Sequence, residues 1–209
     1  MPEARRLTPR QRDQRQRVLD ATRQMLAEDG YEGLQMRALA ERARVSLMTI
    51  YNRFGHKDDL ILLALRELLA DLAERARASG RQGIEFLLHN AEIVAGQILA
   101  TPAYAEAMSL MLFNGRAGSP IVATLLTDNV TQSRQRLEDM LALGEIEAVV
   151  DLDLVARRLA VAGWATNLLW MKGAVSDREL VQEYRRAPLL VLAPLMTART
   201  RAAYAAELE

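Results

Sequence analysis

Apolar residues in this chain recur at intervals of three and four almost from end to end, and alternation at two is absent over any useful length. Such a pattern predicts helices and no sheet, so the chain has to bury its apolar stripes by packing helix on helix. Punctuation sets the helix ends. Thr8-Pro9-Arg10-Gln11 opens the first: Thr caps, Pro fits the first helical position where its missing N–H is not needed, and Gln at the third position reaches back to the cap. Val18, Leu19, Thr22, Met25 and Leu26 form its inward face, and Gly30 marks its stop. A short helix is expected from Met36 to Ala43, with Leu39, Ala40 and Ala43 inward, and a second from a Ser46 cap to about Arg53.

Phe54-Gly55-His56 breaks the chain again, and Lys57-Asp58-Asp59 opens a long helix to about Ser79, with two carboxylates in the first turn where the helix dipole favours them. Its stripe, Leu60 to Leu65 and then Leu68, Leu69 and Leu72, is wider than a surface helix needs, so this helix is expected to be enclosed on several sides. Breaks at Gly80, Thr101-Pro102, Gly115 to Pro120, Gly144 to Asp151 and Gly173 to Ser176 leave helices of about 81–100, 103–114, 120–143, 151–172 and 177–207. The last begins on the capping-box pair Ser176 and Glu179 and contains Pro188 and Pro194, which kink it or split it.

Composition excludes several classes. With 209 residues, half of them apolar and 26% charged, the chain has enough apolar surface for one or two packed domains and is no disordered tail. Its longest apolar run, Leu159 to Met171, is broken by Gly163, Thr166 and Asn167 and falls short of the roughly 18 residues of a membrane span. The first 17 residues carry six Arg and no apolar block, unlike a secretory signal, and the absence of Cys removes disulfides and thiolate chemistry. A cytoplasmic protein is expected. Only His56 and His89 are present, 33 positions apart, so there is no metal pair and no Ser/His/Asp set; with two Lys and no Gly-rich loop after a strand, phosphate-loop nucleotide binding has no basis either. The chain is not expected to be an enzyme or to hold a metal or cofactor.

The formal net charge of zero hides an asymmetry: residues 1–57 hold twelve Arg and Lys against seven Asp and Glu, and residues 58–209 hold fifteen against twenty. One end is basic, which fits a local surface for a polyanion and equally fits charges that merely solvate helix faces. Two short helices joined by a tight turn and packed on a longer one follow the helix-turn-helix plan, whose second helix enters the DNA major groove. Val18, Leu26, Leu39, Ala40, Val45, Ile50 and Phe54 can supply its small core.

The runs Gly30 to Ala40, Ala43 to Ser46 and Thr49 to Leu60 resemble, at matching spacing, the signature of the tetracycline-repressor (TetR) family, and the likeness covers about residues 12 to 65. The resemblance implies an all-α homodimer: an N-terminal arm and three-helix helix-turn-helix domain over residues 1–57, joined by a long helix to a larger effector-binding and dimerisation domain over residues 58–209. It implies a repressor released from a pseudo-palindromic operator in double-stranded DNA by a small, apolar effector. Carried over by position, Arg37 reaches a base edge or phosphate; Ser46, Leu47, Met48, Thr49 and Asn52 fall at the exposed start of the recognition helix; Tyr51 and Lys57 resemble phosphate contacts. Arg5 and Arg6 extend along the backbone or minor groove. Internal packing of Tyr51 and Met48 is the competing reading.

Three departures stand out. Gln35 replaces a usual capping Thr or Ser, Arg44 replaces a usual Gly in the turn, and Leu47 and Met48 stand where Lys and Gly are common. In the second domain, Phe86, His89, Met108, Met111, Phe113, Asn167 and Trp170 lie on helices that in relatives surround an effector pocket, though a Met-and-aromatic stripe equally makes plain core. Trp164, Leu168, Leu190 and Leu195 fall on the pair of helices that resembles the family's dimer bundle. A helical protein-interaction module without DNA binding, and a small-molecule enzyme on a helical scaffold, are the alternatives from other classes; binding that falls steeply with salt separates the first of them from a DNA reader.

Overall fold

The computed structural model describes residues 8–114, 120–147 and 151–208, with side chains 111–114, 120–122, 124 and 125 left undescribed. Arg5 and Arg6 lie outside these residues, and Met111 and Phe113 outside the described side chains. Among the described residues the chain is helical throughout: α1 (Pro9–Gly33), α2 (Met36–Arg42), α3 (Leu47–Phe54), α4 (Lys57–Ala78), α5 (Gly83–Ala100), α6 (Pro102–Asn114), α7 (Pro120–Ala142), α8 (Leu152–Met171), α9 (Asp177–Leu192), a 3₁₀ turn (Ala193–Leu195), α10 (Ala198–Ala203) and α11 (Ala205–Leu208). The capping residues act as their chemistry requires. Thr8 Oγ1 accepts from Gln11 N–H while Gln11 Oε1 accepts from Thr8 N–H, and Glu179 receives Ser176 N–H at the start of α9. Gln35 makes no side-chain cap on α2, as its departure from Thr or Ser implied.

Two boundaries differ from the sequence reading. Gly30 takes φ 69 and kinks α1, which resumes for one turn to Gly33. The last helix splits at Pro194 and not at Pro188: Pro188 is buried inside α9, whereas Ala193–Leu195 tighten into the 3₁₀ turn, after which an isolated antiparallel bridge joins Met196 to Ile146. Glu147 N–H to the Leu195 carbonyl and Thr197 N–H to the Glu145 carbonyl hold that bridge, an alternative set of backbone partners that ends the helix there.

Three apolar clusters form the interior. The first gathers every residue nominated for the helix-turn-helix core, with Val45 at its margin, and adds Leu60 to Leu65 of α4 and Ala107 and Met108 of α6. The second joins α5, α7, α8 and α9, and the third joins α5, α6 and α9. Helix α4 touches α1, α5, α6 and α7, as its wide stripe demands. Core packing therefore runs across position 57 without a gap.

The turn between α2 and α3 is closed by Val45 N–H to the Ala40 carbonyl and Ala43 N–H to the Leu39 carbonyl, which leaves Arg44 at φ 55. It is the one non-glycine residue with positive φ among those described. A side chain there costs about 1 kcal/mol or more. Arg44→Gly is expected to raise the unfolding free energy by up to about 1 kcal/mol, part of the relief being lost to the more flexible unfolded chain; urea unfolding followed by circular dichroism measures it, and no gain would mean the arginine is strain-free.

Candidate nucleic-acid interface and effector cavity

Helix α3 separates its faces cleanly. Ser46 Oγ accepts from Thr49 N–H at 3.1 Å and lies 2.8 Å from Thr49 Oγ1, so both hydroxyls are partly engaged in starting the helix. Ile50 and Phe54 are buried, and Leu47 packs against them. Met48 is 66% exposed and Tyr51 42%, with Asn52 beside them on the surface. Neither Met48 nor Tyr51 packs inward. Gly55 ends α3 at φ 78, where a Cβ would come within 2.5 Å of Asp59 Oδ2, the oxygen that accepts His56 N–H and starts α4.

Lys57 is held rather than free. Its ammonium lies 4.6 Å from the Tyr31 ring centroid and 3.5 Å from the Glu32 carbonyl. Tyr31 in turn donates its hydroxyl to Asp58 at 2.7 Å, a bond that pushes the phenol up to about 12. The lysine is thus stationed at the start of α4, where backbone N–H groups already favour an anion. Arg37 is exposed in the first turn of α2. Arg44 and Arg53 are exposed too and, among the described residues, have no carboxylate partner; sequence patterning passed over both as anion contacts, although their places, Arg44 in the turn before α3 and Arg53 in its last turn, were the signal.

A second feature lies deeper, a cavity of about 400 Å³ bounded by α4, α5, α6, α7, α8 and α9. Leu65, Leu68, Leu87, Val94 and Trp164 give it an apolar wall, and Met108 and Asn167 line it as the sequence indicated. Phe86, His89 and Trp170 are not among the residues that line this cavity, and each has a partner elsewhere. The Phe86 ring carries the Arg136 guanidinium 5.4 Å from its centroid, His89 Nδ1 pairs with Glu92, and Trp170 Nε1 donates to Asp177 at 2.7 Å. Trp164 and Leu195, nominated for a dimer bundle, are also used within the chain, the first on the cavity wall and the second against the second cluster. Residues missed by pattern alone include Tyr104, whose hydroxyl donates to the Arg23 carbonyl at 3.0 Å and so ties the cavity wall to α1.

Asn167 is buried, and its Nδ2 donates to Ser109 Oγ at 2.8 Å and towards the Ala105 carbonyl at 3.4 Å. The Ala105 carbonyl, which can only accept, sets the amide orientation, since the Ser109 hydroxyl could serve either amide atom, and Oδ1 is left without a partner. Among the described residues no group of three His, Cys, Asp or Glu could hold a metal, and no helix is long and apolar enough to cross a membrane.

The family described as "Bacterial regulatory proteins, tetR family" matches residues 18–64. Over 163 residues the chain is 31% identical to the HTH-type transcriptional repressor KstR of Rhodococcus jostii, spanning 77% of this chain and 74% of that one. Among solved structures, FadR of Bacillus subtilis in complex with stearoyl-CoA superposes with a TM-score of 0.67 at 21% identity, over 86% of this chain and 98% of that one. Thermus thermophilus FadR with lauroyl-CoA does so with a TM-score of 0.67 at 22% identity, over 88% and 95%.

Proposed function

The chain belongs to the TetR family of bacterial regulatory proteins, and from that premise we propose that it is a dimeric, ligand-responsive repressor that leaves a pseudo-palindromic operator when a small effector with an apolar body enters the cavity. The observation that carries the DNA-binding half is the division of α3: Ile50 and Phe54 anchor it while Met48, Tyr51 and Asn52 stand on the solvent face, Tyr51 with its ring edge-on to His56. Asn52 offers the bidentate amide that reads adenine, and Met48 and the Thr49 methyl suit thymine methyl groups. Lys57, Tyr51 and Arg37 serve as phosphate contacts.

The dimer rests on an uncovered apolar face. Leu154, Val161 and Leu169 of α8 are 44%, 43% and 48% exposed, and Leu190 of α9 is 62% exposed. A second copy covering this face by a twofold axis would present two α3 helices to half-sites about 34 to 36 Å apart. The effector half rests on shared residues: Leu65 and Met108 belong both to the helix-turn-helix core and to the cavity wall, and Tyr104 bonds α1. An effector that favours one setting of that wall shifts the DNA-binding state by its differential affinity, about 1 to 3 kcal/mol for useful control. The acyl-thioester ligands of the two FadR proteins support an elongated apolar occupant.

Operator selection from random DNA followed by fluorescence anisotropy across salt tests the reading. Lys57→Ala is expected to weaken every sequence alike and to flatten the salt dependence by about one unit. Asn52→Ala is expected to relax one operator position, at about 1 to 3 kcal/mol of lost discrimination. An unchanged base preference in the Asn52 variant would remove that contact, and salt-independent binding by the native chain would remove the whole proposal.

A further inference from the structure

Arg136 is placed where a cation has no structural reason to be. It lies on the inward stripe of α7 with Ser133, Leu137 and Met140, of which all but Arg136 are fully buried, and it lines the cavity. Its guanidinium rests on the Phe86 ring, and among the described residues it has no hydrogen bond or carboxylate partner. The neighbouring acids are committed elsewhere: Asp128 to Arg66, and Glu138 to Arg134 on the outer side of the same helix. Arg77, itself paired with Glu74, also borders the cavity, and burial followed by repulsion from Arg77 pushes the pKa of Arg136 down. A partly buried guanidinium without a carboxylate partner costs stability, and an arginine does not escape the cost by deprotonating near neutral pH. The Phe86 ring holds the guanidinium at the cavity wall, and among the described residues the chain supplies no anion to pair with it.

We infer that the effector is an amphipathic anion, its carboxylate or phosphate head paired with the Arg136 guanidinium and its apolar body lying along Leu87, Val94 and Trp164. The inference rests on the reading of the cavity as an effector site and adds the charge of the effector. Pairing offsets the desolvation that Arg136 already bears, so the anion gains at this site what a neutral analogue of the same shape does not.

The full chain is titrated with dodecanoate, dodecyl phosphate and dodecanol, followed by calorimetry and by intrinsic tryptophan fluorescence, to which Trp164 and Trp170 contribute. At least one anion is expected to bind about tenfold or more tightly than the alcohol, as a charge-assisted pair would give. The stronger of the two anions identifies the head group. Arg136→Gln is expected to bring the three affinities level, Arg136→Lys to restore part of the preference, and the unliganded Gln variant to melt no lower than the native chain, because it loses an unpaired charge. Equal binding of all three by the native chain, or a preference that survives Arg136→Gln, overturns the role of Arg136 and leaves the cavity reading standing. Failure of all three to bind overturns this inference together with the apolar effector site, while salt-dependent DNA binding would still stand on its own measurement.

Discussion

Leu169→Glu combined with Leu190→Glu is expected to give a monomer whose affinity for the operator is at least about a hundredfold weaker. Each leucine exposes about half of its surface or more in the single chain, and covering such a side chain is worth about 1.5 to 3 kcal/mol when burial is complete. A twofold interface counts every residue twice, so four leucines leave water in one dimer and four carboxylates would be forced together in the variant. The loss at the operator follows from geometry: a monomer engages one half-site with half of the phosphate contacts, and the second half-site no longer benefits from tethering to the first. Sedimentation and anisotropy read the two consequences separately. Because both positions are already wet in the single chain, helix content should not change, which distinguishes loss of association from loss of fold. A variant that remains dimeric and binds the operator as before would place the interface on another face.

The helix-turn-helix was legible because its sequence signals are local. Thr8 with Gln11, and Ser46 at the start of α3, specify helix ends through bonds spanning three residues, and the period of 3.6 assigns Ile50 and Phe54 inward without knowledge of the rest of the chain, whereas the periodicity alone left Met48 open between core and surface. The cavity was only half legible for the opposite reason. Helices α5 to α9 pack on more than one side, so periodicity marks what is not in solvent but not which neighbour it meets; Phe86 and Trp170 satisfied the pattern and turned to other partners. Tyr104 carried no pattern at all, since its role depends on a carbonyl 81 positions away. Arg136 could have been found. A lone cation in register with Ser133, Leu137 and Met140 breaks an otherwise inward stripe, and such a break is a sequence signal for a ligand group or a buried partner. The division at 57 and 58 follows the start of α4, but Leu60 to Leu65 complete the core of what precedes it.

That shared core gives the second large effect. Leu65→Ala is expected to lower the unfolding free energy by about 2 to 5 kcal/mol, the cost of emptying a side chain that is 2% exposed and cannot be replaced by water without wetting two apolar surfaces at once. Leu65 faces the helix-turn-helix core on one side and the cavity on the other. Its removal therefore enlarges the cavity towards α1, and an effector that binds there loses the wall through which it acts. Leu65→Met keeps the volume and should cost less than about 1.5 kcal/mol. Tyr104→Phe tests the same wall at the level of one hydrogen bond and should cost about 1 kcal/mol, since the Arg23 carbonyl lies within a helix and keeps its backbone partner. Urea unfolding of the three variants, followed both by far-ultraviolet circular dichroism and by the fluorescence of Trp164 and Trp170, which both lie on α8, decides whether the two halves respond as one. Coincident transitions that move together would show that residues 8–57 have no stability apart from α4 and α6, and that an effector altering the wall necessarily alters the DNA-binding helices. Two separated transitions, with Leu65→Ala moving only one of them, would show that the joint is loose and that control of DNA binding has to travel by another route.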